Sequence, residues 1–221
     1  GSVCSPVTAN IYMHYVLVWW FKEKIQPKAK GFSGLVVYAD DFVACFQYKW
    51  EAERFYGQLK KRMGYFGLEL QEDKSRLIKF GRFARQDASE KGTKAATFDF
   101  LGFTHYCSTN KSGKFRVKRK TSRKKFKKKC KEMWRYIRAN RHMPTDMLIR
   151  KLNEVLTGYD HYYGITDNYA SLQKFHFNVR KFLFYWLNRR SQRKSYTWEG
   201  FRDFMKTKLL VAPKIYVSIY A

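Results

Sequence analysis

The chain has 221 residues, room for one large domain or two small ones, and 45% apolar with 19% aromatic residues suffices for packed cores, which excludes global disorder. Its 45 Lys and Arg against 18 Asp and Glu give a formal charge of +27, far more than solubility needs, so a polyanionic partner is implied, nucleic acid ahead of an acidic membrane surface. No apolar run nears the roughly 20 residues that span a bilayer and no signal-peptide pattern opens the chain, so no membrane is expected and the protein reads as intracellular.

Ser5 as an N-cap and Pro6 at the first helical position predict a helix over residues 6–24, with Ile11, Tyr15, Val18 and Trp19 as its buried stripe. Next, Leu35-Val36-Val37-Tyr38 and Phe42-Val43-Ala44-Cys45-Phe46 are strand-like runs that meet at Asp40-Asp41, which reads as a β-hairpin with carboxylates at its tip. Neighbouring strand residues point to opposite faces, so two adjacent acids converge on one ion only where the chain turns. Oxygen-only ligands of this kind suit Mg²⁺, which uses one or two carboxylates together with waters and substrate phosphates. The alternative is an acidic pair that only stabilises a surface turn.

A helix follows, marked by Ala52, Phe55, Tyr56, Leu59, Met63 and Phe66 and ended by Gly67. Leu68 and Leu70 alternate with Glu69 as in a half-buried strand, and a turn around Lys74 comes after it. Residues 82–96 are polar without periodicity, which predicts a surface loop, and residues 98–103 return to strand composition, with Gly102 permitting close backbone approach.

Of the 25 residues 111–135, 14 are Lys or Arg, while Phe126, Cys130, Met133, Trp134 and Ile137 form a helical stripe through them. This is an amphipathic helix with one face for docking and one for phosphate; Lys118, Arg119, Lys120, Arg123, Lys124, Lys125, Lys127 and Lys128 are the nucleic-acid-binding candidates. Leu148, Leu152, Val155 and Leu156, then Leu172, Phe175, Val179, Leu183 and Trp186, mark two further helices of a small bundle. Arg189, Arg190, Arg193 and Lys194 form a second basic cluster before a short helix with Phe201, Phe204, Met205 and Leu209, and residues 213–220 read as a strand or tail packing back on the bundle. Tyr159, Tyr162 and Tyr163 could stack on exposed bases or pack between helices. Cys4, Cys45, Cys107 and Cys130 lack metal-site spacing and read as buried free thiols, and the five His are dispersed.

Several of these stretches resemble one family in its own order: Gly1-Ser2-Val3-Cys4-Ser5-Pro6 with Ala9-Asn10-Ile11-Tyr12, Tyr38-Ala39-Asp40-Asp41, Gly67-Leu68-Glu69-Leu70 with Lys74-Ser75, Phe98-Asp99-Phe100-Leu101-Gly102-Phe103, and Gly158-Tyr159-Asp160-His161-Tyr162-Tyr163-Gly164. The family is that of group II intron reverse transcriptases, or maturases, and the resemblance covers nearly the whole chain. It implies an α+β fold: the C-terminal part of a polymerase fingers and palm in residues 1–106, an antiparallel sheet with packing helices, then a helical thumb or maturase bundle in 107–221.

The resemblance further implies RNA-directed DNA synthesis, with Asp40 and Asp41 as catalytic residues holding Mg²⁺. Gly1, Ser2, Tyr38, Ala39, Lys74, Leu101 and Gly102 would lie near nucleotide and primer, although Gly1-Ser2 also has the form of a cloning remnant. Intron RNA, an RNA template, a DNA primer and deoxynucleoside triphosphates are the implied partners, in a bacterial cytoplasm. A third metal-binding acid belongs upstream in this family, and no Asp or Glu precedes Glu23, so the chain is expected to lack the N-terminal part of the palm and to be inactive alone. Two other readings stand beside this one: a non-catalytic RNA-binding splicing factor, and a reverse transcriptase of a defence or CRISPR system.

Overall fold

The structure, a computed structural model, describes residues 4–193 and 195–219. Chain contacts divide it into two compact units, Gly1–Ala96 and Thr97–Ala221. The expected 106/107 boundary therefore falls inside a strand of the second unit.

In the first unit, α1 (Ser5–Met13) continues into π-helical turns over His14–Trp19 and Phe21–Ile25 and ends in a 3₁₀ turn, Gln26–Lys28. The buried residues are Val16, Leu17, Trp20 and Phe21, while Ile11, Tyr15 and Trp19 of the expected stripe are exposed. Two physical reasons account for this correction. The segment is apolar on all sides, so periodicity cannot select a face, and i→i+5 hydrogen bonding shifts the phase of any stripe spaced for an α-helix. Arg62 holds the irregular turns, donating from Nε to Val16 O at 2.6 Å and from Nη2 to Tyr15 O at 3.2 Å.

The strands β1 (Ser33–Tyr38) and β2 (Asp41–Phe46) pair antiparallel, from Ser33 opposite Phe46 to Tyr38 opposite Asp41. Alternation gives the hairpin one apolar face, Leu35, Val37, Phe42, Ala44 and Phe46, which packs on the α1 extension and on Phe55, Leu59 and Met63 of α2 (Lys49–Tyr65). Gly67, at φ 66°, ends α2: Leu68 N–H reaches Met63 O at 2.8 Å and Gly67 N–H reaches Gly64 O at 3.1 Å, the paired bonds of a Schellman motif. Leu68 and Leu70 pack on the core and Glu69 is exposed, as alternation predicts, but the segment forms no strand among the described residues. The expected loop 82–96 contains a short helix, α3 (Ala84–Glu90), whose one buried residue, Ala84, gives a periodicity search almost nothing to find.

The second unit opens with a three-stranded antiparallel sheet in the order β3 (Thr97–Phe100), β4 (Phe103–Thr109), β5 (Phe115–Thr121). Four helices follow: α4 (Arg123–Ala139), α5 (Thr145–Tyr163), α6 (Tyr169–Leu187) and α7 (Trp198–Thr207). Their core joins Met133 and Ile137 to Leu148, Leu152, Leu156, Leu172, Phe175, Val179, Leu183 and Phe201. Asn168, fully buried, ties sheet to bundle: Oδ1 accepts from Thr121 N–H at 2.8 Å, and Nδ2 donates to Thr121 Oγ1 at 2.9 Å and Tyr163 O at 2.8 Å.

The C-terminal segment packs back as an extended strap, with Tyr216 and Val217 N–H on Gly164 O and Thr166 N–H on Val217 O. It covers a buried pair. His176 Nε2 lies 2.9 Å from Asp160 Oδ1 and Nδ1 lies 3.0 Å from Val211 O, while Lys214 N–H donates to Asp160 Oδ2 at 3.0 Å. Both ring nitrogens of His176 face oxygen acceptors, Val211 O and Asp160 Oδ1, so the buried ring is anchored on both sides. Two of the four cysteines, Cys4 and Cys45, are exposed rather than buried; Cys45 alternates onto the hairpin face turned away from the core.

Candidate active site and nucleic-acid interface

Tyr38 and Asp41 close the first hairpin around a two-residue turn, Ala39-Asp40. Ala39 has φ 52° and Asp40 is not among the residues of positive φ, the pattern of a type II′ turn, whose first position favours Gly. An Ala here costs about 1 kcal/mol of backbone strain, of the kind that collects at functional sites. Asp40 sits at the tip, Asp41 begins β2, and both are exposed; Tyr38 is 63% exposed on the same face of the hairpin as Asp41. Among the described residues no group of three His, Cys, Asp or Glu gathers as a metal site. The hairpin supplies two carboxylates, a number that a hard divalent cation completes with water and phosphate oxygens. Lys74 is exposed in the turn where Lys74 and Ser75 N–H donate to Gln71 O. Gly1 and Ser2 lie outside the described residues.

The second hairpin, between β3 and β4, turns at Leu101-Gly102, with φ 49° and 77°. Positive φ at both central residues is the type I′ form that matches strand twist, and Leu is rarely found there. The turn is held from α5 and from the cap of α4: Tyr162 Oη donates to Leu101 O at 3.1 Å, and Ser122 N–H donates to Gly102 O at 2.9 Å. A Cβ at Gly102 would stand 3.0 Å from Tyr163 Oη, so only Gly fits both the dihedral and the space. Tyr159 is a packing residue, buried and stacked on Phe175 with centroids 4.0 Å apart, and burial pushes its hydroxyl pKa upward. Tyr162 lies parallel to Phe103 and keeps an exposed side.

Alternation along β5 separates the sequence's Lys-Arg-Lys run. Arg116, Lys118 and Lys120 share one face with Ser108, Tyr106 and Thr104 of β4, and Lys120 Nζ lies 5.4 Å from the Tyr106 ring. Arg119 points to the opposite face with His105, which stacks on Phe98 at 4.9 Å. Burial, then the neighbouring Arg119 charge, hold the His105 pKa below the usual imidazole value.

Ser122 caps α4, accepting from Lys125 N–H at 3.4 Å. No acid occupies the first turn; Arg123, Lys124 and Lys125 crowd the positive end of the helix dipole, an arrangement that costs stability until an anion relieves it. Lys124, Lys128, Lys131 and Arg135 are exposed at spacings of four, three and four on the side opposite Met133 and Ile137, with Lys127 on their flank. Along α4 the one ion pair among the described residues is Lys129 with Glu132, so this charge is uncompensated within the unit. Lys131 and Arg135, like Arg116, extend the candidate set, and helical or strand spacing from the residues already singled out would have found them.

The second basic cluster is divided. Arg189 is exposed over the Tyr185 ring at 3.5 Å, and Arg193 is exposed. Arg190 instead donates to Met143 O at 3.0 Å and Thr145 Oγ1 at 3.1 Å, bracing the start of α5. Lys194 lies outside the described residues.

An acid-tipped hairpin backed by helices in one unit, and a basic sheet and helix in the other, suit a protein that handles nucleic acid. Comparison with known families gives the class: residues 1–105 match the reverse transcriptase (RNA-dependent DNA polymerase) family. Residues 123–204 match the group II intron maturase-specific domain, and no individual curated protein matches. The chain belongs to the group II intron reverse transcriptase/maturase family, whose function is in intron splicing. Its mixed α and β elements are consistent with a partial palm followed by a helical maturase domain. The maturase-specific match favours the intron over a defence or CRISPR setting. No helix among the described residues is long and apolar enough to cross a membrane.

Proposed function

We propose that this chain contributes the acidic hairpin of an RNA-directed DNA polymerase and the basic surface that holds its intron RNA. The observation that carries the first half is the two-residue turn that leaves Asp40 and Asp41 exposed together at the tip of the hairpin, inside the segment that matches reverse transcriptases. The oxygen donors fit Mg²⁺, which one or two carboxylates hold beside substrate phosphates. Bound there, divalent ions would supply activation of the primer 3′ hydroxyl and neutralisation of the leaving pyrophosphate. Asp40 and Asp41 concentrate negative charge where the triphosphate of a deoxynucleotide must approach. Tyr38 and Ala39 shape that tip, the braced Leu101-Gly102 turn offers a rigid edge to the DNA primer, and Lys74 is a cation for phosphate.

The second half rests on the uncompensated face of α4. With Lys118 and Lys120 on the sheet, and Arg189 and Arg193 beyond α6, it presents cations to the phosphates of intron RNA or of the template. The same surface would serve a maturase that holds RNA without copying it, so the test must separate synthesis from binding. In the protein expressed from its complete reading frame, Asp40→Asn preserves size and removes charge. Primer extension on an RNA template should fall by orders of magnitude while RNA affinity stays within about twofold, since removing a phosphate-repelling charge does not weaken binding. Extension at the wild-type rate would make the acids turn residues only.

A further inference from the structure

We propose that the cleft between the α1 extension and α2 binds single-stranded RNA, as a site distinct from the acidic hairpin tip and from the basic helix. The cleft has a volume of 520 Å³, and its walls include Lys24, Lys28, Trp50, Arg54, Lys61 and Tyr65. Lys24 and Lys28 come from the end of the α1 extension, the other four from one side of α2. No residue of the hairpin tip lines it.

Charge selects the class of partner. Lys24, Lys28, Arg54 and Lys61 are exposed, and none has a carboxylate partner among the described residues, although Lys49 and Lys60 of the same helix do pair, with Glu53 and Glu72. Four unneutralised cations around one concavity fit a phosphate chain. Aromatic exposure selects single strands. Tyr65 is 85% exposed and Trp50 is 45% exposed, and Trp50 lies nearly parallel to Tyr48, 18° between planes, as an aromatic platform. Such faces are useful to a base that has left its stack, whereas a duplex keeps its bases inside.

The lining also holds one carboxylate, Glu51. It is 5% exposed and lines the cleft; Oε1 accepts from Lys30 N–H at 2.6 Å, whereas Oε2 is buried without a hydrogen-bond partner. With that oxygen sealed from solvent, Glu51 braces the backbone at Lys30 within the wall, and recognition falls to the exposed cations and rings. Gln58, also in the lining, offers a donor and an acceptor.

The test is photocrosslinking of the intact chain to a thiouridine-substituted single-stranded RNA of about 12 nucleotides, a length within the usual site size, followed by mapping of the adducts. Adducts on Trp50 or Tyr65 peptides are expected. Adducts confined to α4 peptides would overturn the cleft and leave the basic-helix reading intact; adducts on the cleft alone would do the reverse. Trp50→Ala should weaken single-strand affinity about tenfold, and Lys24→Gln with Arg54→Gln and Lys61→Gln should lower the salt slope by about 2. All four side chains are exposed, and a circular dichroism spectrum checks that the unit folds. A DNA strand of equal sequence that binds more tightly than the RNA would overturn RNA as the occupant, a choice that rests on the proposed function.

Discussion

Replacing Lys124, Lys128, Lys131 and Arg135 together with Gln strips the outward face of α4 without touching its buried side, since all four are exposed and the core contacts run through Met133 and Ile137. The four span about 16 Å of helix at 1.5 Å per residue, and Gln is about as good a helix former as Lys, so the helix itself should persist. If each side chain neutralises one phosphate of a structured RNA, the slope of log affinity against log salt should become shallower by about 3.6, at 0.9 per duplex phosphate. Between 50 and 200 mM salt, that difference makes the wild-type affinity fall about 150-fold further than the variant's. Filter binding over that range, with circular dichroism as the folding control, measures it. A folded variant whose slope equals that of wild type would take α4 out of the interface and remove the second half of the proposed function.

Three stability predictions follow from particular contacts. Asp160→Ala should cost about 1–3 kcal/mol for each group it orphans, by urea or thermal melting, because it leaves the buried His176 ring nitrogen and the Lys214 N–H without their acceptor; a total cost below about 1 kcal/mol would mean that these hydrogen bonds do not hold the strap to the bundle. Ala39→Gly should stabilise the first unit by up to about 1 kcal/mol by relieving the turn at φ 52°, and a loss of stability would show the turn to be unstrained. His105, with its pKa held low in the fold, binds its proton more weakly folded than unfolded. Stability is therefore lost as pH falls through the unfolded value near 6.5 toward the lower folded one, and His105→Gln should flatten melting temperature against pH in that window.

What could be read in advance depended on how far apart in the chain the interacting groups lie. The first hairpin was legible because its strands, its two-residue turn and its acids occupy 14 consecutive residues with register fixed by alternation. The stripes of α2, α4, α5 and α6 were legible because each helix is polar on one side. The α1 segment lacks a polar side, so its buried face was misassigned. The segment around Leu68–Leu70 shows the complementary limit: alternation reports which side chains point inward but says nothing about whether a neighbouring strand is present to hydrogen-bond.

At the site, the identities of Asp40, Asp41, Leu101 and Gly102 were visible, while the bracing of the second turn by Tyr162 across 61 residues was not. Lys118 and Arg119 look equivalent in the sequence and face opposite sides of a sheet; Arg189 and Arg190 do as well, yet one is exposed and the other bonds inward. The cleft cations are spread over two segments separated by the whole hairpin, so no linear charge run announces them.

The strap that closes over Asp160 and His176 imposes an order on how the second unit is made. The pair is complete only when Val211 and Lys214 have been added, yet α5 and α6, which carry its two side chains, end at Tyr163 and Leu187. At about 5–20 residues per second, the ribosome needs roughly 1–5 s to travel from Leu187 to Lys214. Until that segment docks, the bundle holds a polar pair short of two partners, so the strap is the last element the pair requires. Limited proteolysis of the released chain, full-length and truncated just before Val211, should show protection rising with the longer chain; equal protection of both would show that the pair does not need the strap.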